Sequence, residues 1–303
     1  MICLFSVALN VVLLSLGMNG TAMRREYPYL SPRLFVSNPN DTIINFTSLR
    51  KELQSSVAEI SRQFNVGIYF EYLPTGVSIG VNEKEAFVSA SLLKVPFVMG
   101  VFRLIEAGDL REDDVLTLQK SDLDMDFGTL WQRGEGAHLS VRDAVKWLLV
   151  HSDNTALLAL NRHVNEDLVR EVYDALDIPV DIQADRLVVT PKNYSSVLRC
   201  LYLSCLLTRA HSDALLDLLA HTEFLAGVQA GVPQGISVAH KVGYYDLADS
   251  EDRVRSDCGI VYAPKRPYIL CGFGKMKRGQ EQLFTSFMQS VSARIYQYVA
   301  GAP

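Results

Sequence analysis

The spacing of apolar residues divides the chain into strands at both ends and helices between them. In "SLRKELQSSVAEISRQF", Leu49, Leu53, Val57 and Ile60 recur at helical spacing, which predicts an amphipathic helix with Ser48 as its N-cap. "NVGIYFEYLPTGVSIGVNEK" then gives two β-rich runs around Pro74-Thr75-Gly76, the pattern of a hairpin. The middle reads as helical. One helix starts near Ser91 and stops at Gly108. A second runs from Ser140, with Asp143 three residues on, to about His151. A third follows Asn154, a fourth begins after Thr190-Pro191, and "SDALLDLLAHT" is a short fifth. Strands return at "ISVAHKVGYY", "RSDCGIVYA" and "PYILCGFGK", with Lys265 and Arg266 in the last turn, and a final helix covers "EQLFTSFMQSVSARIYQYV". This order predicts one sheet built from both ends of the chain, with an all-helical lobe inserted.

Composition narrows the class. The chain has 303 residues, 49% hydrophobic and 21% charged, which is globular and long enough for a sizeable core. A net charge of -5 with no long basic run gives no footprint for nucleic acid. Residues Ile2 to Gly17 are apolar, too short for a comfortable membrane span of ~20 residues. They fit the apolar part of a signal peptide, with a small-x-small cleavage site at Gly20 to Ala22, or an anchor. The nearest positive residues, Arg24 and Arg25, follow this segment rather than precede it, so the true start is expected upstream. Residues 1–22 are thus a signal peptide or membrane anchor, 23–41 an extended linker, and 42–303 the folded part. Export to the periplasm or the outer face of the membrane is the expectation, as a monomer. None of the five cysteines is spaced as a zinc site, and no metal or cofactor is expected. Cys200 and Cys205 read as core of an apolar helix. Cys258 and Cys271 fall almost opposite each other if their strands form a hairpin, as a disulfide or as two buried thiols.

The candidate chemistry starts in "AFVSASLLKVPF". Ser91 and Lys94 are three apart on the opening turn of a helix and face the same way. The free N–H groups and dipole of a helix start favour an oxyanion. Leu92, Leu93, Val95 and Phe97 would desolvate the lysine and lower its pKa, making a neutral amine available as base. Alone, S-x-x-K more often marks a capped helix with a snorkelling lysine. Two further stretches change that weighting. "HSDNTALLAL" puts Ser152, Asp153 and Asn154 on a loop between helices, and "VAHKVGYY" puts Lys241-Val242-Gly243 on a strand about 90 residues later. Singly these read as N-caps and as an edge-strand lysine. In this order they form the set associated with acyl-enzyme formation by serine.

With these motifs the chain resembles the class A β-lactamase and penicillin-binding-protein superfamily from about Thr42 to its C-terminus. "LREDDVLTL", "LVVTPKNYSSVL", "AGVPQGISVAHKVG" and "DCGIVYAPKRPYILCGF" strengthen the resemblance. It implies an α/β (α+β) fold of the β-lactamase/transpeptidase type: an antiparallel sheet lobe from residues 42–85 and 222–303, flanked by helices from both chain ends, and a helical lobe from 86–221. It also implies roles. Ser91 is the nucleophile, Lys94 its base, and Ser152 the proton relay to the leaving nitrogen. Asn154 orients substrate and Lys94, and Lys241 supplies positive potential for a substrate carboxylate. Val242, Gly243 and Tyr244 line the substrate, the Ser91 and Tyr244 N–H groups forming the oxyanion hole. The implied partners are β-lactams or D-Ala-D-Ala wall peptides. Two departures stand out. The family usually has Thr or Ser at Val242, with Arg255 or His240 as possible substitutes. And "DALDIPVDIQADRLVVTP" lacks the family's deacylating glutamate, holding only Asp177, Asp181 and Asp185 near its place, with Glu166 and Asp167 too early. The expectation is a penicillin-binding D-Ala-D-Ala peptidase-like hydrolase. A true β-lactamase and a non-catalytic β-lactam or wall-fragment sensor are the alternatives.

Overall fold

The computed structural model describes Tyr29 and residues 43–164, 167–183, 186–246 and 250–302. The apolar segment Ile2–Gly17, its cleavage site, Cys3, Glu166 and Asp185 lie outside the described residues, as does the linker apart from Tyr29. Among the described residues no helix is long and apolar enough to cross a membrane, and no cluster of His, Cys, Asp and Glu is arranged to hold a metal.

The main sheet has five antiparallel strands: β1 (Asn65–Tyr72), β2 (Val77–Val81), β8 (Val238–Asp246), β9 (Asp252–Val261) and β10 (Tyr268–Lys277). Their order across the sheet is β2-β1-β10-β9-β8, so the first hairpin is completed by the last three strands. Side-chain alternation assigns the faces. Val66, Ile68, Phe70 and Tyr72 of β1, with Leu270 and Met276 of β10, pack under α1 (Thr47–Ile60) and α8 (Glu281–Gly301). Tyr69, Cys271, Phe273, Cys258 and Ala239 take the opposite face, where the helical part of the chain covers them. On that face Glu71 is 5% exposed, accepts a bond from Tyr69 Oη at 3.1 Å, and pairs with Arg199. By the same alternation Lys241 and Gly243 of β8 share a face with Ala239, and His240 and Val242 turn the other way.

The helical part comprises α2 (Lys94–Ala107), α3 (Val141–Val150), α4 (Asn154–Asn161), α5 (Asp167–Ala175), α6 (Pro191–Leu203) and α7 (Arg209–Ala220). Local signals place most boundaries. Gly108 ends α2 in the left-handed conformation, at φ 85°. Ser140 accepts the Asp143 N–H, and Thr190 the Asn193 N–H, as N-caps. Two short sheets complete the fold: β4 (Val115–Thr117) with β5 (His138–Ser140), and β3 (Phe87–Val88), β7 (Arg186–Val189) and β6 (Asp181–Gln183) in the order β3-β7-β6.

The α/β fold with an antiparallel sheet is as expected from the sequence, two local readings are corrected, and one open alternative is decided. Ser48 does not cap α1. The helix begins two residues earlier, at Thr47 with Phe46 in the cap position, and the Thr47 N–H is taken by Asn45 Oδ1 at 3.0 Å, freeing the Ser48 hydroxyl to bond Tyr298 at 2.7 Å. Cys200 and Cys205 are not two core thiols of one helix. Ser204 adopts φ 53°, ends α6, and turns Cys205 back into a disulfide with Cys200. Cys258 and Cys271 are directly opposed across β9 and β10, as expected, and of the two states left open for them the structure has two free buried thiols.

Candidate active site

Ser91 does not open an α-helix. It lies in a 3₁₀ turn, Ala90–Leu93, that runs into α2 at Lys94. Such a turn has three residues per revolution, so positions i and i+3 eclipse. The serine therefore stands directly one turn ahead of the lysine. The turn is braced from three sides. Tyr194 of α6, fully buried, donates to the Leu92 carbonyl at 3.0 Å. The Ser89 N–H is accepted by Leu187 of β7 at 2.9 Å. Strand β8, an edge of the main sheet, packs against the turn at Gly243. A Cβ there would stand 3.3 Å from Ala90 Cβ, 3.4 Å from Ser89 O and 2.3 Å from Ser256 Oγ. Only glycine lets the strand come this close.

The second motif supplies three different functions from adjacent residues. Asp153, fully buried, is the N-cap of α4, accepting from Ala156 N at 2.9 Å. Its other oxygen accepts from Thr129 N and Leu130 N, each at 2.8 Å, and so ties the α3–α4 corner to the preceding loop. Ser152 is held at φ 56°, which aims its side chain and carbonyl into the cleft. Asn154 is the first residue of α4, and its side chain accepts from Lys94 at 2.8 Å.

These groups converge in one buried chain of hydrogen bonds. Lys94 Nζ donates to Asn154 Oδ1, to the Ser152 carbonyl and to Ser152 Oγ at 3.3 Å. Lys241 Nζ reaches the same Ser152 Oγ at 2.8 Å and the Val242 carbonyl at 3.2 Å. Lys94 is 3% exposed, Lys241 0% and Ser152 1%. Burial lowers the Lys94 pKa from 10.5 to about 8, against the opposing pull of Asp153 and Asp124. Burial, and then the charge of Lys94, push Lys241 well below its ordinary value.

The structure thus brings Ser91, Lys94, Ser152, Asn154, Lys241, Gly243 and Tyr244 to one cleft, and of the suggested substitutes for a hydroxyl at Val242 it buries His240 away from it and leaves Arg255 beside Tyr244. His240 is fully buried, with Nδ1 2.8 Å from Asp257, whose other oxygen accepts from Val228 N. Arg255 lies over the Tyr244 ring at 5.3 Å, engaged by Asp246 at 2.8 Å. Asp124 escaped the sequence reading although it is central. It accepts from Asn154 Nδ2 at 3.2 Å and from the N–H groups of Asp126 and Phe127 at 2.9 and 3.3 Å. The acidic run "SDLDMDFG" is its only trace in the sequence. Gly128 was missed for the same reason. It sits at φ 97°, where a Cβ would meet Asp153 Oδ2 at 2.1 Å.

Within the stretch from Asp174 to Pro191, β6 and β7 pair as antiparallel neighbours, and β7 pairs with β3 just ahead of Ser91. Asp174, Asp177 and Asp181 are exposed, Asp181 on the outer strand of that small sheet.

The sequence model of the beta-lactamase enzyme family matches residues 48–299, and the chain belongs to that family of serine hydrolases acting on amide bonds of β-lactams. Among solved structures it is similar to PBP-A, with 21% identity, 83% of this chain and 95% of that one covered, and a TM-score of 0.74. It is similar also to a β-lactamase from Sphaerobacter thermophilus (21% identity, 86% and 99% covered, TM-score 0.75). The TLA-1 extended-spectrum β-lactamase is a third (18% identity, 83% and 99% covered, TM-score 0.75). No curated protein matches the sequence.

Proposed function

We propose that Ser91 is the acylated nucleophile of a penicillin-binding, D-Ala-D-Ala peptidase-like enzyme that forms its acyl-enzyme faster than it releases it. Neutral Lys94 takes the Ser91 proton as Oγ attacks the carbonyl, and the N–H groups of Ser91 and Tyr244 receive the oxyanion. The C–N bond breaks as Ser152 Oγ passes its proton to the leaving nitrogen. Lys94, 3.3 Å from that oxygen, returns the proton, while Lys241 orients the hydroxyl.

The observation that carries the slow release is the β6–β7 pair. It occupies the stretch in which the resemblance calls for a water-activating glutamate, and its described aspartates face solvent. The carboxylates that act on Lys94 are Asp153 and Asp124, and both are already engaged by backbone N–H groups. A variant of PBP-A is known as an acyl-enzyme complex with penicillin G, which is consistent with this reading. The Cys200–Cys205 disulfide fits an oxidising, extracytoplasmic setting.

A fluorescent penicillin tests the nucleophile. It labels the wild type covalently and leaves Ser91→Ala unlabelled. Labelling of Ser91→Ala at the wild-type rate would overturn the assignment.

A further inference from the structure

Lys241 is gripped from the far side of the sheet. His240 and Val242, its neighbours in β8, turn to the face opposite its own, and Asp257 of β9 is in register with Val242 on that same face. Asp257 Oδ1 lies 2.8 Å from His240 Nδ1, and Oδ2 accepts from Val228 N at 2.8 Å. One carboxylate therefore ties together the residue ahead of Lys241, the residue paired behind it, and the loop between α7 and β8. The loop comes this close only because Gly227 has no side chain. It turns at φ 70°, and a Cβ there would meet Asp257 Oδ2 at 2.4 Å. Both His240 and Asp257 are buried, and the acyl-transfer steps use neither.

A buried carboxylate is costly unless something answers its charge. Among the described residues the only ion pair of Asp257 is with His240, and Arg255, two residues away on β9, is engaged by Asp246 and Glu281. His240 Nε2 is buried with no hydrogen-bond partner. A proton there would have no acceptor, so the ring hydrogen belongs on Nδ1, pointing at Asp257, and the carboxylate keeps its charge. That charge has a use one residue away. Lys241 is buried beside Lys94, and both reach Ser152 Oγ, so two ammonium groups there repel each other. The negative groups that favour a proton on Lys241 are Asp257 and then Glu223, which is half exposed and paired with His151 at 2.8 Å. Those that act on Lys94 are Asp153 and Asp124. Each lysine thus has its own counter-charges, and Asp257 is the buried one for Lys241.

We propose that Asp257 is a positioning residue of the catalytic centre: from behind β8 it fixes the strand through His240 and supplies the counter-charge that holds the Lys241 ammonium ready for the substrate carboxylate. Lys94 is then left as the neutral base. The proposal rests on Ser91 being the nucleophile and on Lys241 meeting that carboxylate, and it adds the group that keeps Lys241 in this role.

The test is the rate of adduct formation by intact mass with benzylpenicillin, which carries the carboxylate, and with its methyl ester, which lacks the charge. Asp257→Asn keeps the size of the side chain and removes its charge. It should lower the acid-to-ester ratio about tenfold, the effect of one opposite charge lost near an ammonium. In a Lys241→Ala background the same substitution should change the ratio less than about twofold, because the group it acts through is gone. A residue that only supports the fold would slow both compounds alike, with or without Lys241. If the ester reacts too slowly to follow, the same cycle read on benzylpenicillin alone decides. His240→Leu strips the donor from Asp257 and should lower the ratio severalfold, whereas His240→Asn keeps an N–H for it and should hold the ratio near wild type. This pair decides if Asp257→Asn fails to fold. A ratio unchanged in Asp257→Asn, a fall of equal size in the Lys241→Ala background, or equal ratios in the two His240 variants overturns the proposal. Absence of any adduct in the wild type instead overturns the Ser91 reading, and the role of Asp257 with it.

Discussion

The buried Lys94 dictates how acylation should depend on pH. A lysine in water holds its proton to about pH 10.5, leaving roughly one in 3,000 neutral at pH 7. With the pKa lowered to about 8 by burial, roughly one in ten is neutral at that pH, a gain of about 300-fold in the competent base. The rate of labelling by a limiting fluorescent penicillin should therefore rise tenfold per unit from pH 6, bend near 8 and stay level to 9.5. Asp124→Asn removes one of the two negative charges that hold the lysine's proton on, and an asparagine keeps a carbonyl oxygen for Asn154 and for the Asp126 and Phe127 N–H groups. Losing an anion destabilises the ammonium, so the bend should move down, by up to about one unit. A rate that keeps climbing tenfold per unit through pH 9, or a bend that Asp124→Asn moves upward, would refute the assignment of Lys94 as the neutral base.

The same pKa has a stability consequence. Between about 8 and 10.5 the unfolded chain holds the Lys94 proton and the folded one does not, so stability gained from this group rises with pH across that window, by about 1.4 kcal/mol per unit. Urea titrations at pH 8 and 9.5 should show that slope in the wild type relative to Lys94→Ala, and equal slopes would contradict it. Gly128→Ala forces a Cβ against Asp153 at a positive φ and should cost about 2–4 kcal/mol, with a matching loss of labelling, since Asp153 sets the Ser152 corner. A variant within 0.5 kcal/mol of wild type would show that the corner tolerates the shift. Peptide mapping after alkylation of the unfolded, unreduced protein should find Cys258 and Cys271 modified and Cys200 and Cys205 protected, while the native protein leaves the buried Cys258 and Cys271 unmodified. Recovery of a Cys258–Cys271 bond would contradict the structure.

Much of the fold was legible because period and punctuation agreed. The β1–β2 hairpin, the Thr190 cap and the Gly108 stop are local devices that a sequence writes down directly. Ser91, Lys94, Ser152, Asn154 and Lys241 were legible by their order along the chain, and the structure adds the hydrogen bonds joining four of them. What stayed hidden depends on long-range contact. Nothing local marks Asp124 as the acceptor for a side chain 30 residues away. The three rings that meet above the lysines, Phe127, Phe224 and Tyr244, come from two loops and strand β8, about 100 and 20 residues apart, and touch only once the sheet is assembled. The Cys200–Cys205 bond was missed because apolar neighbours suggested a continuing helix, and the left-handed turn at Ser204 carries no glycine to announce it.

The central claim is that acylation of Ser91 outruns release, because the β6–β7 pair holds no carboxylate, among the described residues, in the position to activate water. Losing a positioned base slows a step by ~10²–10⁴-fold, or about 3–5 kcal/mol of barrier. The most direct measurement mixes enzyme with excess benzylpenicillin and follows β-lactam ring opening and intact mass together. The account predicts a burst of about one ring opened per active site, an adduct of the mass of the intact drug on Ser91, and slow turnover afterwards. Sustained hydrolysis at tens per second or more, with no burst and no adduct, would contradict it and make this chain a true β-lactamase.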